Sequence, residues 1–277
     1  SPESAVPLQQ TTIYHLPESR REKRWLRIVL FVSGVIISVV CLAYLFGLFI
    51  LNPGNSKGKP PESRVKSIAV LPFINDSQDS ANIPFINGMM EGIIYNLQKI
   101  KELKVLSRTS VEQYRYIKNK TIPQIAKELG VNYIIEGSGQ KYGDQLMLSI
   151  QLIEASSDIH LFSERYNRKW EDIFEVQTEI STLVARKIKA AITPEEALLI
   201  EKKPTTSMAA LNLYLQGMEL NKIYIVDKTM DLTLQAEVYF RKAVRLDSTY
   251  ADAYIGIGWC FNHKRNYDSA LYFANRA

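Results

Sequence analysis

The 277-residue chain carries 34 Lys plus Arg against 29 Asp plus Glu, a net charge of +5, with 46% hydrophobic and 23% charged residues. That balance excludes wholesale disorder, a collagen-like repeat and a polytopic membrane protein, and the length suits about two domains. Two cysteines, Cys41 and Cys260, exclude a disulfide framework and a four-ligand structural zinc site. In chain order, residues 1–25 form a polar tail ending in Arg20, Arg21, Lys23 and Arg24 beside Trp25. Ile28 to Leu51 then runs for 24 residues without an ionisable acid or base. As a helix this run spans about 36 Å, more than the ~30 Å hydrocarbon layer, so a single transmembrane helix is expected over 26–51. Residues 52–65 (NPGNSKGKPPESR and the following Val) are rich in Pro, Gly, Ser and charge and read as a linker.

The charge excess is local. Residues 1–66 hold nine basic and four acidic side chains, which leaves 25 of each sign in the remainder. A neutral body argues against a nucleic-acid footprint, so no direct nucleic-acid contact is expected. Five basic residues crowd the eight positions before the apolar run and four are spread over the ten positions from Lys57 to Lys66. This bias places the N-terminus in the cytoplasm and the chain after residue 51 outside it.

Past the linker, Ser67–Phe73 (SIAVLPF) suits a buried strand. Ile86, Met89, Met90, Ile93, Leu97 and Ile100 recur at helical spacing. Lys104–Ser107 reads as a second strand, and Thr121–Leu129 as a helix closed by Gly130. Strands follow at Asn132–Gln140, Gln145–Glu154 and Asp158–Arg165, with turn chemistry at Gly143 and Asp144. In the middle strand Leu146, Leu148, Ile150 and Leu152 share one face, which helices should pack. Glu171–Ile192 returns to helix. The order β-α-β-α-β-β-β-α predicts a two-layer α/β domain over 66–192.

The stretches SIAVLPFIN (67–75), LKVLSRTSVEQYR (103–115), IAKELGVNYIIEGSGQKYGDQLMLSIQLIEA (125–155) and HLFSERYNRKWEDIFEVQTEI (160–180) occur in order. They resemble the TolB-like amino-terminal domain of bacterial regulatory proteins. The resemblance implies a non-catalytic α/β module, often set between a signalling domain and tetratricopeptide repeats, and a protein of the bacterial inner membrane with its body in the periplasm. Where the family usually has an acidic residue before the helix glycine, this chain has Asn87, and an aromatic pair there is reduced to Phe85.

Residues 205–277 carry a repeat. Ala236, Phe240 and Ala243 are echoed by Ala270, Ala274 and Ala277 at a spacing of 34, the tetratricopeptide period. Leu213, Gly217 and Leu220, then Tyr254, Ile257, Gly258 and Phe261, take the helix-A positions, with a longer turn at Lys222–Thr229. An all-α tetratricopeptide solenoid is therefore expected after the α/β domain. Two incomplete repeats bury little, so the array is expected to continue in a longer protein. By this register Tyr214, Met218, Asn221, Ile255, Trp259 and Asn262 should face a concave groove that binds a protein or peptide partner.

The search for chemistry is negative. Gly137, Gly139 and Gly143 lack the G-x-G-x-x-G spacing and enter a hairpin, and GNSKGKP at 54–60 lacks the Walker spacing. His15, His160 and His263 lie far apart, and His160 is expected to be a half-buried strand residue. Glu136, Glu154 and Glu164 fall on adjacent strands but alternate faces. No catalytic, cofactor or metal site is expected. Three functions remain open: a sensory and protein-interaction portion of a single-pass membrane signalling or transcription-regulatory protein; the regulatory segment of a membrane-linked nucleotide cyclase whose catalytic domain lies upstream; or a membrane-tethered scaffold. The sequence leaves the oligomeric state open.

Overall fold

The computed structural model describes residues 66–117 and 119–277, together with Gly34, residues 38–42 and Tyr44. Two compact units divide the chain, Ser1–Glu62 and Ser63–Ala277. In the first, the described residues are helical and exposed; the tail at 1–25, most of the expected span at 26–51 and the linker at 52–65 lie outside the described residues. Among the described residues no helix is long and apolar enough to cross a membrane.

The second unit is built on a mixed sheet of β1 (Lys66–Val70), β2 (Ile74–Asn75), β3 (Leu103–Val105), β4 (Tyr133–Tyr142), β5 (Gln145–Glu154) and β6 (Ile159–Lys169). The order is β3-β1-β4-β5-β6, with β2 pairing β4 at Ile74↔Ser138. β1 runs parallel to β3 and β4, and β4, β5 and β6 form an antiparallel meander. Two helices, α1 (Ile83–Gln98) and α4 (Ile173–Lys187), cover one face. The turns follow local chemistry. Thr121 and Gln124 form a capping box before α3 (Ile122–Leu129), and Gly130 ends it at φ 67°, a left-handed conformation that a Cβ disfavours. Gly143 at φ 59° makes the hairpin between β4 and β5.

Three sequence expectations need correction. The sheet is covered on both faces over its β1 and β4 half, so the two-layer description is too simple. A second cluster of Ala69, Leu71, Val111, Tyr114, Ile125, Ala126 and Ile134 packs under the short helix α2 (Arg108–Val111) and α3. The cause is legible afterwards: β1 and the start of β4 are apolar on both sides, as strands buried on both faces must be. The helix expected to run to Ile192 ends at Lys187, with Lys189 at φ 57°, and a separate α5 (Pro194–Glu201) starts at a Thr193/Glu196 capping box. His160 is exposed, opposite Ile153 at the β5–β6 register shift, not half-buried.

Four helices complete the unit: α6 (Met208–Asp227), α7 (Met230–Leu246), α8 (Ala251–His263) and α9 (Tyr267–Ala274), each packed on the next. Phe240 of α7 is the wedge. A Cβ at Gly217 or at Gly256 would lie 2.7 Å from its ring, so both glycines are notches for one buried aromatic. Full burial of such a side chain contributes about 1.5–3 kcal/mol. The main core includes Leu211 and Leu215 of α6. The helices therefore share a hydrophobic core with the α/β part.

Candidate functional site

The junction between α1 and α6 concentrates the polar groups that the core does not need. Its apolar floor is the contact of Leu215 with Gly88, where a Cβ would lie 2.5 Å from the leucine Cδ2. Trp170, buried before α4, stacks edge-on against Phe85 at 5.2 Å and donates its indole N–H to Asn212 Oδ1 at 2.9 Å. These contacts fix α6 across the α/β lobe from two sides.

A charged seam runs along the same junction. Arg115 donates to Asn87 Oδ1 at 3.2 Å, and the Asn87 amide donates to Glu219 Oε2 at 2.8 Å. Because a guanidinium only donates and a carboxylate only accepts, the network fixes which way the amide points. An aspartate here could accept from Arg115 but would face the Glu219 carboxylate. The side chain that departs from the family pattern is thus matched to a residue 132 positions away. Lys222 lies 3.5 Å from Glu91 and 3.7 Å from Glu219, and Arg108 pairs with Glu91 and, at 3.1 Å, with Glu112. Burial, and then the charge of Arg108, push the Lys222 ammonium below its ordinary range against the pull of Glu91 and Glu219. For Glu112, burial alone would raise the carboxyl, but the hydrogen bond from Arg115 and the charges of Arg108 and Arg115 hold it below the usual range. Beside the seam lies an open groove of about 720 Å³, walled by Phe73, Ile74, Ile83, Ile223, Ile225 and Val226.

The six residues assigned to a helical groove do not form one surface. Tyr214 packs between Phe240 and Tyr250 at ring distances of 5.8 and 5.1 Å. Met218 packs on the Phe240 cluster. Asn221 is buried, with Oδ1 2.9 Å from His263 Nε2. Ile255 is half-buried, whereas Trp259, 39% exposed, and Asn262 face solvent. A one-position error in helical register separates the two outcomes, since about 100° of rotation turns a groove position into a packed one.

The arrangement offers binding and positioning rather than bond chemistry. Among the described residues no group of three or more His, Cys, Asp and Glu is placed to hold a metal ion. Burial pushes the Cys260 thiol up to about 12, far from a nucleophile's range. Glu136, Glu154 and Glu164 pair with different register positions, opposite Gln151, Ile159 and Ile150, and do not converge.

Residues 63–183 match the HilA/YgeH-like transcriptional regulator, second domain. This HilA/YgeH-like segment coincides with most of the α/β part, so the chain carries a domain of a regulatory family. Over 166 residues, 60% of the chain, the sequence is also 34% identical to a Rhizobium meliloti (strain 1021) protein named putative adenylate cyclase 3. The chain spans 28% of that relative's length. Among solved structures, TolB from Acinetobacter baumannii aligns over 45% of this chain and 28% of its own, at 17% identity and a TM-score of 0.35. Lipoprotein GNA1162 from Neisseria meningitidis aligns over 46% of this chain and 99% of its own, at 16% identity and a TM-score of 0.33. Scores this low add nothing to the functional assignment.

Proposed function

We propose that this chain is the non-catalytic sensory and protein-interaction portion of a single-pass bacterial membrane protein that regulates an effector, with transcription control as the leading role. The observation that carries the reading is the shared core at the α1–α6 junction. A load on the helices is passed to the HilA/YgeH-like segment because Leu211 and Leu215 sit in that segment's own core. In this reading the helices continue as a tetratricopeptide array, a partner peptide is met by the exposed face of Ile255, Trp259 and Asn262, and residues 26–51 anchor the protein with 66–277 outside the cytoplasm. The likeness to a protein named putative adenylate cyclase supports a second reading, in which the regulated effector is a nucleotide cyclase. A scaffold without an effector has no observation in its favour.

The test uses the full-length protein in cells, with transcription of its targets and cyclic AMP measured together. Trp259→Ala and Glu219→Lys should each change one of these outputs at unchanged protein level, and which output moves identifies the effector. Outputs indifferent to both substitutions sink the regulatory reading. A reporter active only outside the cytoplasm, fused after Ala277, should be active; activity of a cytoplasm-only reporter instead overturns the topology.

A further inference from the structure

A separate cavity of about 190 Å³ lies where α1, α4, α6 and the start of α8 meet. Its walls are Ile173, Phe174, Leu211, Leu215 and Met218, and its mouth is formed by exposed Tyr95, Glu201 and Lys202. Three polar groups inside are unspent. Tyr250 is 1% exposed, Tyr214 lies against it at 5.1 Å, and Asp252 stands in the first turn of α8. Neither phenol nor the Asp252 carboxylate makes a hydrogen bond or ion pair with any described residue, although every other buried side-chain N or O atom among them except Thr233 Oγ1 is either satisfied or open to solvent or a cavity. The other charged groups here are already engaged. Lys99 donates to Asn96 Oδ1 at 3.1 Å and to the Leu199 carbonyl at 2.7 Å and lies over the Tyr95 ring, while Glu91 and Lys222 belong to the charged seam.

A buried carboxylate without a partner is costly unless something fills the vacancy beside it. Burial raises the Asp252 carboxyl above its usual range, with Lys99 pulling weakly the other way, whereas its position in a helix's first turn favours the ionised form. Two electron-rich rings beside one carboxylate suit a cation by ring-face attraction and by ion pairing at once. The volume is slightly above that of cavities that take up benzene, which fits about six to ten non-hydrogen atoms.

We propose that this cavity is a binding site for a small organic amine, its ammonium held by Asp252 and the Tyr214 and Tyr250 rings and its apolar part against Leu211, Leu215 and Met218. Such a ligand touches the α/β lobe through α1 and α4 and the helices through α6 and α8. It would be the input to the regulatory function proposed above, and that role rests on that reading; the binding itself does not.

The full chain is titrated with benzylamine and n-pentylamine at pH 7.5, with benzyl alcohol and benzoate as neutral and anionic counterparts, by calorimetry and by thermal melts. At least one amine should saturate a single site with a Kd of about 0.1–1 mM and raise Tm, while the alcohol and benzoate bind at least tenfold more weakly. Asp252→Asn should cost the amine tenfold or more while Tm without ligand stays level or rises, because the amide removes a desolvated charge. Tyr214→Phe, which removes only an unbonded hydroxyl, should keep the amine within a fewfold. The proposal is overturned if neither amine binds, if benzoate binds as well as the amines, or if Asp252→Asn leaves amine affinity unchanged. The ligand series on the unaltered chain stands whether or not a variant folds. Amine binding without any change in effector output sinks only the regulatory reading; absent binding with junction variants that still alter output sinks only the site.

Discussion

The α/β part and the helical part of the second unit reach similar burial by different means. The sheet and helices α1 and α4 enclose one large cluster in which most members touch several elements, from Ile68 of β1 through Met90 of α1 to Val184 of α4. The helices instead rely on two small clusters, one around Tyr250 and one around Phe240, and the last helix has no buried residue. A core of many interchangeable contacts degrades gradually when one is lost, whereas a wedge seated in two glycine notches has no substitute. The helical part is therefore the half whose stability a single residue decides.

The sharpest way to break that contrast is Phe240→Ala. It should cost about 3–5 kcal/mol, and urea unfolding should become biphasic, with helical circular dichroism lost before the environment of buried Trp170 changes. A single coincident transition would show that the two parts unfold as one. Gly88→Ala comes next, because its methyl group must displace Leu215 at the shared core. A loss of about 1–3 kcal/mol, with a red-shifted Trp170 emission as the Asn212 contact loosens, is the expected result. Asn87→Asp should cost about 1–2 kcal/mol by setting a carboxylate against Glu219, and Glu219→Gln should recover most of it in a double-mutant cycle. Additive losses would mean the amide bridge is not coupled. The smallest effect has the opposite sign. Thr233 is fully buried and its hydroxyl finds no partner among the described residues, so Thr233→Val should raise stability by up to about 1 kcal/mol.

Much of the fold could be read from periodicity. The alternation of Leu146, Leu148, Ile150 and Leu152 places β5 and its buried face, and the spacing of Met89, Ile93 and Leu97 places α1. What escaped was decided by short elements and by second faces. The two-residue β2 and four-residue α2 have no periodicity to detect, and α5 announces itself only through the Thr193-Pro194-Glu195-Glu196 cap, which lies next to a longer helical pattern. The site was harder. Tyr214 and Trp259 look alike in a repeat register, yet one is clamped by two rings and the other meets solvent, a difference set by neighbours 26 and 36 residues downstream of Tyr214. Asn87, Glu219 and Asp252 could not be grouped from sequence, because the polar network that joins or isolates them exists only once α6 is laid on α1.

Asn87 also bears on how such a protein could be assembled from parts. The amide suits a chain that presents Glu219, and an aspartate suits one that does not, so residues on opposite sides of the junction are compatible only as a pair. Exchange of the α/β segment between relatives, with the break placed in the loop before α6, would bring an aspartate onto an existing Glu219 and set two like charges face to face. The junction thus acts as a barrier to recombination, and the two halves are expected to be inherited together even though each resembles a module that could stand alone.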